Sequence, residues 1–139
     1  MRVLINSIHR FLTPGLIVIG ALILFGCADA HTRLIDVNRV QELVNQNDIQ
    51  KAVLAGREVA DNAPMDYRSW LVRAYVHRLA GDTERAERDM ARARELFDRV
   101  KDRISEQERV IALTKFQDGS LLTGLDLIDA GVQPEFSQR

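Results

Sequence analysis

Two stretches decide the architecture: Asn47-Asp48-Ile49-Gln50-Lys51-Ala52-Val53-Leu54-Ala55-Gly56-Arg57-Glu58-Val59-Ala60-Asp61-Asn62-Ala63-Pro64, and Gly81-Asp82-Thr83-Glu84-Arg85-Ala86-Glu87-Arg88-Asp89-Met90-Ala91-Arg92-Ala93-Arg94-Glu95-Leu96-Phe97-Asp98. Laid over one another, Asn47 falls on Gly81, Asp48 on Asp82, Ala52 on Ala86, Gly56 on Met90 and Val59 on Ala93, each displaced by 34 residues. A fixed period of this length signals stacked helical units. Small residues on one seam let antiparallel helices approach closely, and Ala86, Met90, Ala93, Phe97 and Val100 continue that seam with helical spacing.

The upstream partner of the second stretch places Trp70 early in a helix and Ala74 one turn on. Together with Gly81-Asp82 at the turn and Ala86, Met90 and Ala93 beyond it, this resembles the tetratricopeptide repeat. The first copy has Asp36 in place of the aromatic and closes on Pro64. Two positions depart from the family pattern: Arg73 stands where Leu is usual and His77 where Tyr is usual. The resemblance covers Arg33 to Val100 and implies an all-α fold, a short array of about three antiparallel helical hairpins across residues 34–131.

The third pair is read from local signals. Ser105-Glu106-Gln107-Glu108 reads as a capping box at a new helix start, which predicts a turn near Asp102 to Ile104. A fifth helix then runs to about Phe116, a Gly119-Ser120 turn follows, and Leu121, Leu122, Leu125 and Ile128 form the expected apolar stripe of a sixth. Gly131 ends it, and residues 132–139 make a polar tail.

Upstream, Arg2 and Arg10 precede an uncharged apolar run from Leu16 to Phe25 and small residues around Cys27, the order of a secretory signal. Leu24-Phe25-Gly26-Cys27 resembles the bacterial lipobox. That resemblance implies a signal peptide at 1–26, cleavage before Cys27, a lipid on its thiol and a tether over 27–33. With Ala28 rather than Asp after the cysteine, it points to the outer membrane, facing the periplasm. The alternative is an uncleaved anchor helix in the inner membrane, since the stretch from Phe11 to Ala28 approaches spanning length.

The 139 residues carry 19 Lys+Arg against 20 Asp+Glu, a formal net charge of -1, which lacks the basic excess that nucleic-acid binding requires. One cysteine and three histidines exclude a Cys-rich zinc site, so no metal or cofactor is expected. Charges on the fourth helix fall into pairs at four-residue spacing, Glu84/Arg88, Arg85/Asp89, Arg94/Asp98 and Glu95/Arg99, and predict a solvated, self-paired face. His31 falls in the tether and His77 at a packing position, so the reading is non-enzymatic, with an envelope (peptidoglycan) hydrolase or its accessory subunit as the alternative from another class. In the repeat family the first helix of each pair lines a groove for peptides or partner helices. Periodicity turns Arg68, Tyr75 and Arg78 that way, with Leu71 and Leu79 between them, Gln41 and Asn45 before and Arg109 after. The expected function is a scaffold, adaptor or assembly factor for an envelope protein partner; homodimerisation is a second way to complete so short an array.

Overall fold

A computed structural model describes residues 31–132, which form six helices and no strand. They are α1 (Leu34–Asn45), α2 (Ile49–Asn62), α3 (Tyr67–Leu79), α4 (Thr83–Val100), α5 (Glu106–Asp118) and α6 (Gly124–Asp129). The expected signal peptide, Cys27, most of the tether and residues 133–139 of the tail lie outside the described residues. Among the described residues no helix is long and apolar enough to cross a membrane.

The 34-residue period is written into the backbone of two turns. Asn47 (φ 57°) and Gly81 (φ 78°) both take the left-handed conformation. Asn47 N–H donates to Val44 O (2.9 Å) and Asp48 N–H to Leu43 O (3.0 Å); Gly81 and Asp82 repeat this on Arg78 O (3.0 Å) and His77 O (2.9 Å). Asp48 and Asp82 then cap α2 and α4, each carboxylate accepting the backbone N–H three residues on, from Lys51 at 3.3 Å and Arg85 at 3.1 Å. Glycine and asparagine tolerate positive φ, and aspartate satisfies an orphan helix donor, so these residue pairs are what such a turn needs.

Neighbouring helices pack against one another from α1 to α4 and enclose two apolar clusters. One joins Val37 and Val40 of α1, Ala52, Ala55 and Val59 of α2, and Val72 and Val76 of α3. The other joins Tyr67, Leu71 and Ala74 of α3, Met90, Ala93, Leu96 and Phe97 of α4, and Ala112 of α5. Phe97 sits edge-on to both Tyr67 and Phe116, with ring centroids 5.3 Å apart in each case. The expected seam of α4 faces this cluster, and Lys101–Ile104 turn the chain into α5 as the sequence predicts.

The sixth helix differs from expectation in start, length and face. It begins at Gly124, because Thr123 and Asp126 form a capping box there: Thr123 N–H donates to Asp126 Oδ2 (2.7 Å) and Asp126 N–H to Thr123 Oγ1 (3.2 Å). Leu121 and Leu122 therefore lie outside any helix, buried in the first cluster beside Leu127, while Leu125 and Ile128 of the expected stripe are exposed. This segment packs on both α1 and α5 instead of pairing with α5 alone. Gly124 permits the approach, for a Cβ there would stand 2.0 Å from Asn38 Oδ1. Lys115 of α5 pins the segment by donating to Leu121 O (3.0 Å) and pairing with Asp126 (3.0 Å).

The capping box expected at Ser105 forms by half. Ser105 Oγ accepts Glu108 N–H (3.1 Å), but the Glu108 carboxylate accepts Tyr67 Oη (2.8 Å) in the second cluster instead of returning to the cap. Burial and the charge of Glu108 push the Tyr67 hydroxyl well above its ordinary range, so it remains a donor.

The expected tether ends earlier than residue 33. Thr32 is buried and its N–H donates to Asp66 Oδ2 at 2.8 Å. Asp66 also caps α3, accepting Arg68 N–H (3.0 Å), and its carboxylate pairs with Arg68 Nε (2.9 Å). Burial raises the Asp66 pKa, but the Arg68 charge and the hydrogen bonds from Arg68 and Thr32 outweigh it and hold the group below its usual 3.8. A carboxylate depressed in this way contributes stability that is present above the unfolded value of about 4 and lost as pH falls through the folded one. Acid unfolding followed by circular dichroism should therefore show a steep loss below about pH 4, and Asp66→Asn should flatten that limb while lowering stability at neutral pH.

Candidate functional site

Trp70, Arg73 and His77 are spaced by three and four residues, so they share one face of α3. That face meets Asp89 of α4, which interrupts an apolar seam three residues after Ala86 and four before Ala93. Asp89 is buried and accepts both arms of the Arg73 guanidinium, Nε at 2.8 Å and Nη2 at 2.6 Å, a bidentate fork. The same guanidinium lies over the Trp70 ring at 4.1 Å from its centroid, and the indole N–H is held by Pro64 O (2.9 Å). His77 Nε2 stands 3.8 Å from Asp89 Oδ2. Burial pushes the His77 pKa down against the pull of Asp89, which favours the neutral imidazole.

These groups form the floor of a cleft of about 590 Å³ between α2, α3 and α4. Its walls are Arg57 and Asp61 from α2, and Arg85, Arg88 and Arg92 from α4. Five guanidiniums thus face two carboxylates in a chain whose formal charge is -1. Three wall arginines hold exposed acids on their own helix or its cap: Arg85 with Asp82 (3.3 Å), Arg88 with Glu84 (3.4 Å) and Arg92 with Glu95 (2.6 Å). Arg57 has no ion pair among the described residues. Exposed pairs of this kind are worth little, on the order of 1 kcal/mol or less, so the wall charges are free to reorient. The lining holds no hydroxyl or thiol nucleophile and offers positive charge with one neutral imidazole.

Two of the four ion pairs expected on α4 form, Glu84/Arg88 and Glu95/Arg99. The others do not, because other partners compete: Arg73 of α3 captures Asp89, Arg85 turns to Asp82 at the cap of its own helix, Arg94 donates to Phe116 O (3.1 Å) and Asp98 pairs with Lys101 (2.8 Å). Four-residue spacing from Arg85 places Asp89, the residue on which the cleft floor is built, on the solvated face. The signal that marks it is its place inside the apolar seam, opposite the two positions where the repeat pattern fails, Arg73 and His77.

Most of the residues expected to line a partner groove are engaged within the chain. Arg68 is enclosed between Asp66 and Glu108, the latter at 3.7 Å. Tyr75 is half-buried against the first cluster, and Arg78 donates to Gly119 O (3.3 Å). Leu71 is core, Leu79 is partly exposed, and Arg109 is half-buried on α5. Leu121, Leu122 and Leu127 fill the side of α1 and α3 on which the groove was expected. Among the described residues no cluster of His, Cys, Asp and Glu could hold a metal. Comparison with protein-family models, curated proteins and solved structures finds no match for the chain.

Proposed function

We propose that this protein is a lipid-tethered docking module of the bacterial cell envelope. In this reading Cys27 carries the acyl anchor, the helices form a short array of the tetratricopeptide type, and the protein holds a partner at the periplasmic side of the outer membrane without catalysing a reaction. The observation that carries it is the open face of α5. Val110 and Leu113 are 56% and 52% exposed there, three residues apart on one helix face. In the preceding pairs α1 packs on α2 and α3 on α4, whereas the short α6 divides its packing between α1 and α5 and leaves this side of α5 uncovered. An amphipathic helix from a partner protein fits the vacated side, with apolar residues on Val110 and Leu113 and neutral Thr114 and Gln117 beside them. Docking of Thr32 on Asp66 leaves residues 27–31 as the tether, a reach of roughly 18 Å at about 3.5 Å per residue, so the start of α5 stays close to the bilayer.

A photo-crosslinking residue at position 113 of the full chain, expressed in bacteria, tests the reading. A crosslink to a different envelope protein through a helical segment is expected, lost in Val110→Asp and again in Cys27→Ser, which should also lose a palmitate-analogue label. A product at twice the chain's mass assigns the face to a second copy instead. No crosslink, or one indifferent to both substitutions, overturns the proposal.

A further inference from the structure

The cleft between α2, α3 and α4 shares no residue with the α5 face, and its chemistry differs. We propose that it is a binding site for a phosphate group, carried by a soluble phosphomonoester or by a lipid headgroup. The floor is a rigid, charge-neutral base, and the positive excess lies in the walls above it. Arg73 is locked between Asp89 and the Trp70 ring, so its position costs little further ordering when a ligand arrives. Arg57, Arg85, Arg88 and Arg92 come from two other helices and surround that floor. A carboxylate has two oxygens and is satisfied by one guanidinium fork, as Asp89 is by Arg73. A phosphate presents three oxygens and up to two charges, which matches several forks converging from different sides. The concavity, about 590 Å³, suits a small ligand or a headgroup rather than a helix.

Trp70 is the only tryptophan in the chain and lines the cleft, so its fluorescence reports occupancy. The full-length protein, reconstituted in phosphatidylcholine vesicles, is titrated with inorganic phosphate and glycerol 3-phosphate, and separately prepared in vesicles containing phosphatidate. A saturable change with the soluble compounds assigns a free phosphomonoester, and a change with phosphatidate alone assigns a headgroup; either supports the site. Arg57→Ala/Arg88→Ala removes two exposed wall charges without touching the core and should weaken binding about tenfold or more, whereas Lys51→Ala/Arg99→Ala, outside the cleft, should leave it unchanged. Three results overturn the proposal: no response in any arm, a response unchanged by Arg57→Ala/Arg88→Ala, or saturation by a glutamate oligopeptide at concentrations where phosphate has no effect. None of them bears on the α5 face, which is read by crosslinking.

Discussion

Ending the chain at Gly119 is expected to abolish the cooperative unfolding transition altogether. The removed segment places Leu121, Leu122 and Leu127 in the cluster shared with Val37, Val40, Val72 and Val76. Losing a buried leucine side chain costs about 2–5 kcal/mol, so three together approach or exceed the 5–15 kcal/mol by which whole domains of this size are stable. Lys115 would also lose its bonds to Leu121 O and Asp126, and Gly119, whose carbonyl accepts Arg78, would become a fraying terminus. Urea denaturation of the chain ending at Gly119 beside the full-length protein, both in detergent and followed by circular dichroism, checks this. A sharp transition surviving the cut would show the segment to be a removable strap lying in an otherwise complete groove. Leu127→Ala gives the graded version, with an expected loss at the lower end of the same range.

The second large effect is expected at Asp89. Asp89→Leu leaves the Arg73 guanidinium over Trp70 without its carboxylate and should destabilise the protein by about 3 kcal/mol, the lower end for a broken buried pair, because the Arg73 side chain remains 21% exposed. The double variant Arg73→Met/Asp89→Leu should recover most of that loss, since replacing both charges with apolar groups removes the desolvation cost along with the attraction. Denaturant midpoints for the two variants measure the difference. Equal losses in the single and the double variant would mean that the pair contributes through packing alone and that Arg73 is not held in place by charge.

What was legible in the chain was what neighbours along the sequence decide. The 34-residue alignment of Asn47-Asp48 with Gly81-Asp82 marked two equivalent turns, and the structure builds both the same way because positive φ and an N-cap are local requirements met by few residues. The seam of α4 followed from spacing, and Ser105 marked a helix start. Where a side chain had two competing partners, spacing named the one on its own helix and the fold chose the other. Glu108 left its cap for Tyr67, and Asp89 left Arg85 for Arg73.

The same division separates the two surfaces. Sequence alone gives the helical character of the described residues and the first four helices with their turns, since helix periodicity, caps and left-handed residues act within a few residues. Leu121 and Leu122 carried no comparable instruction, because an apolar pair is equally at home on a helix stripe or in extended chain. The late start of α6 is itself a local signal, the Thr123-Gly124-Leu125-Asp126 capping box that the apolar stripe outweighs when the sequence is read alone; where the leucines go is set by packing, as Gly124 lets α6 close on Asn38 and the buried apolar surface of α1 and α3 draws them in. That choice fills the side on which a groove was expected and leaves α5 open. The arginine cleft is likewise a product of packing, assembled from three helices whose charges are far apart in sequence and gather only when α2, α3 and α4 meet.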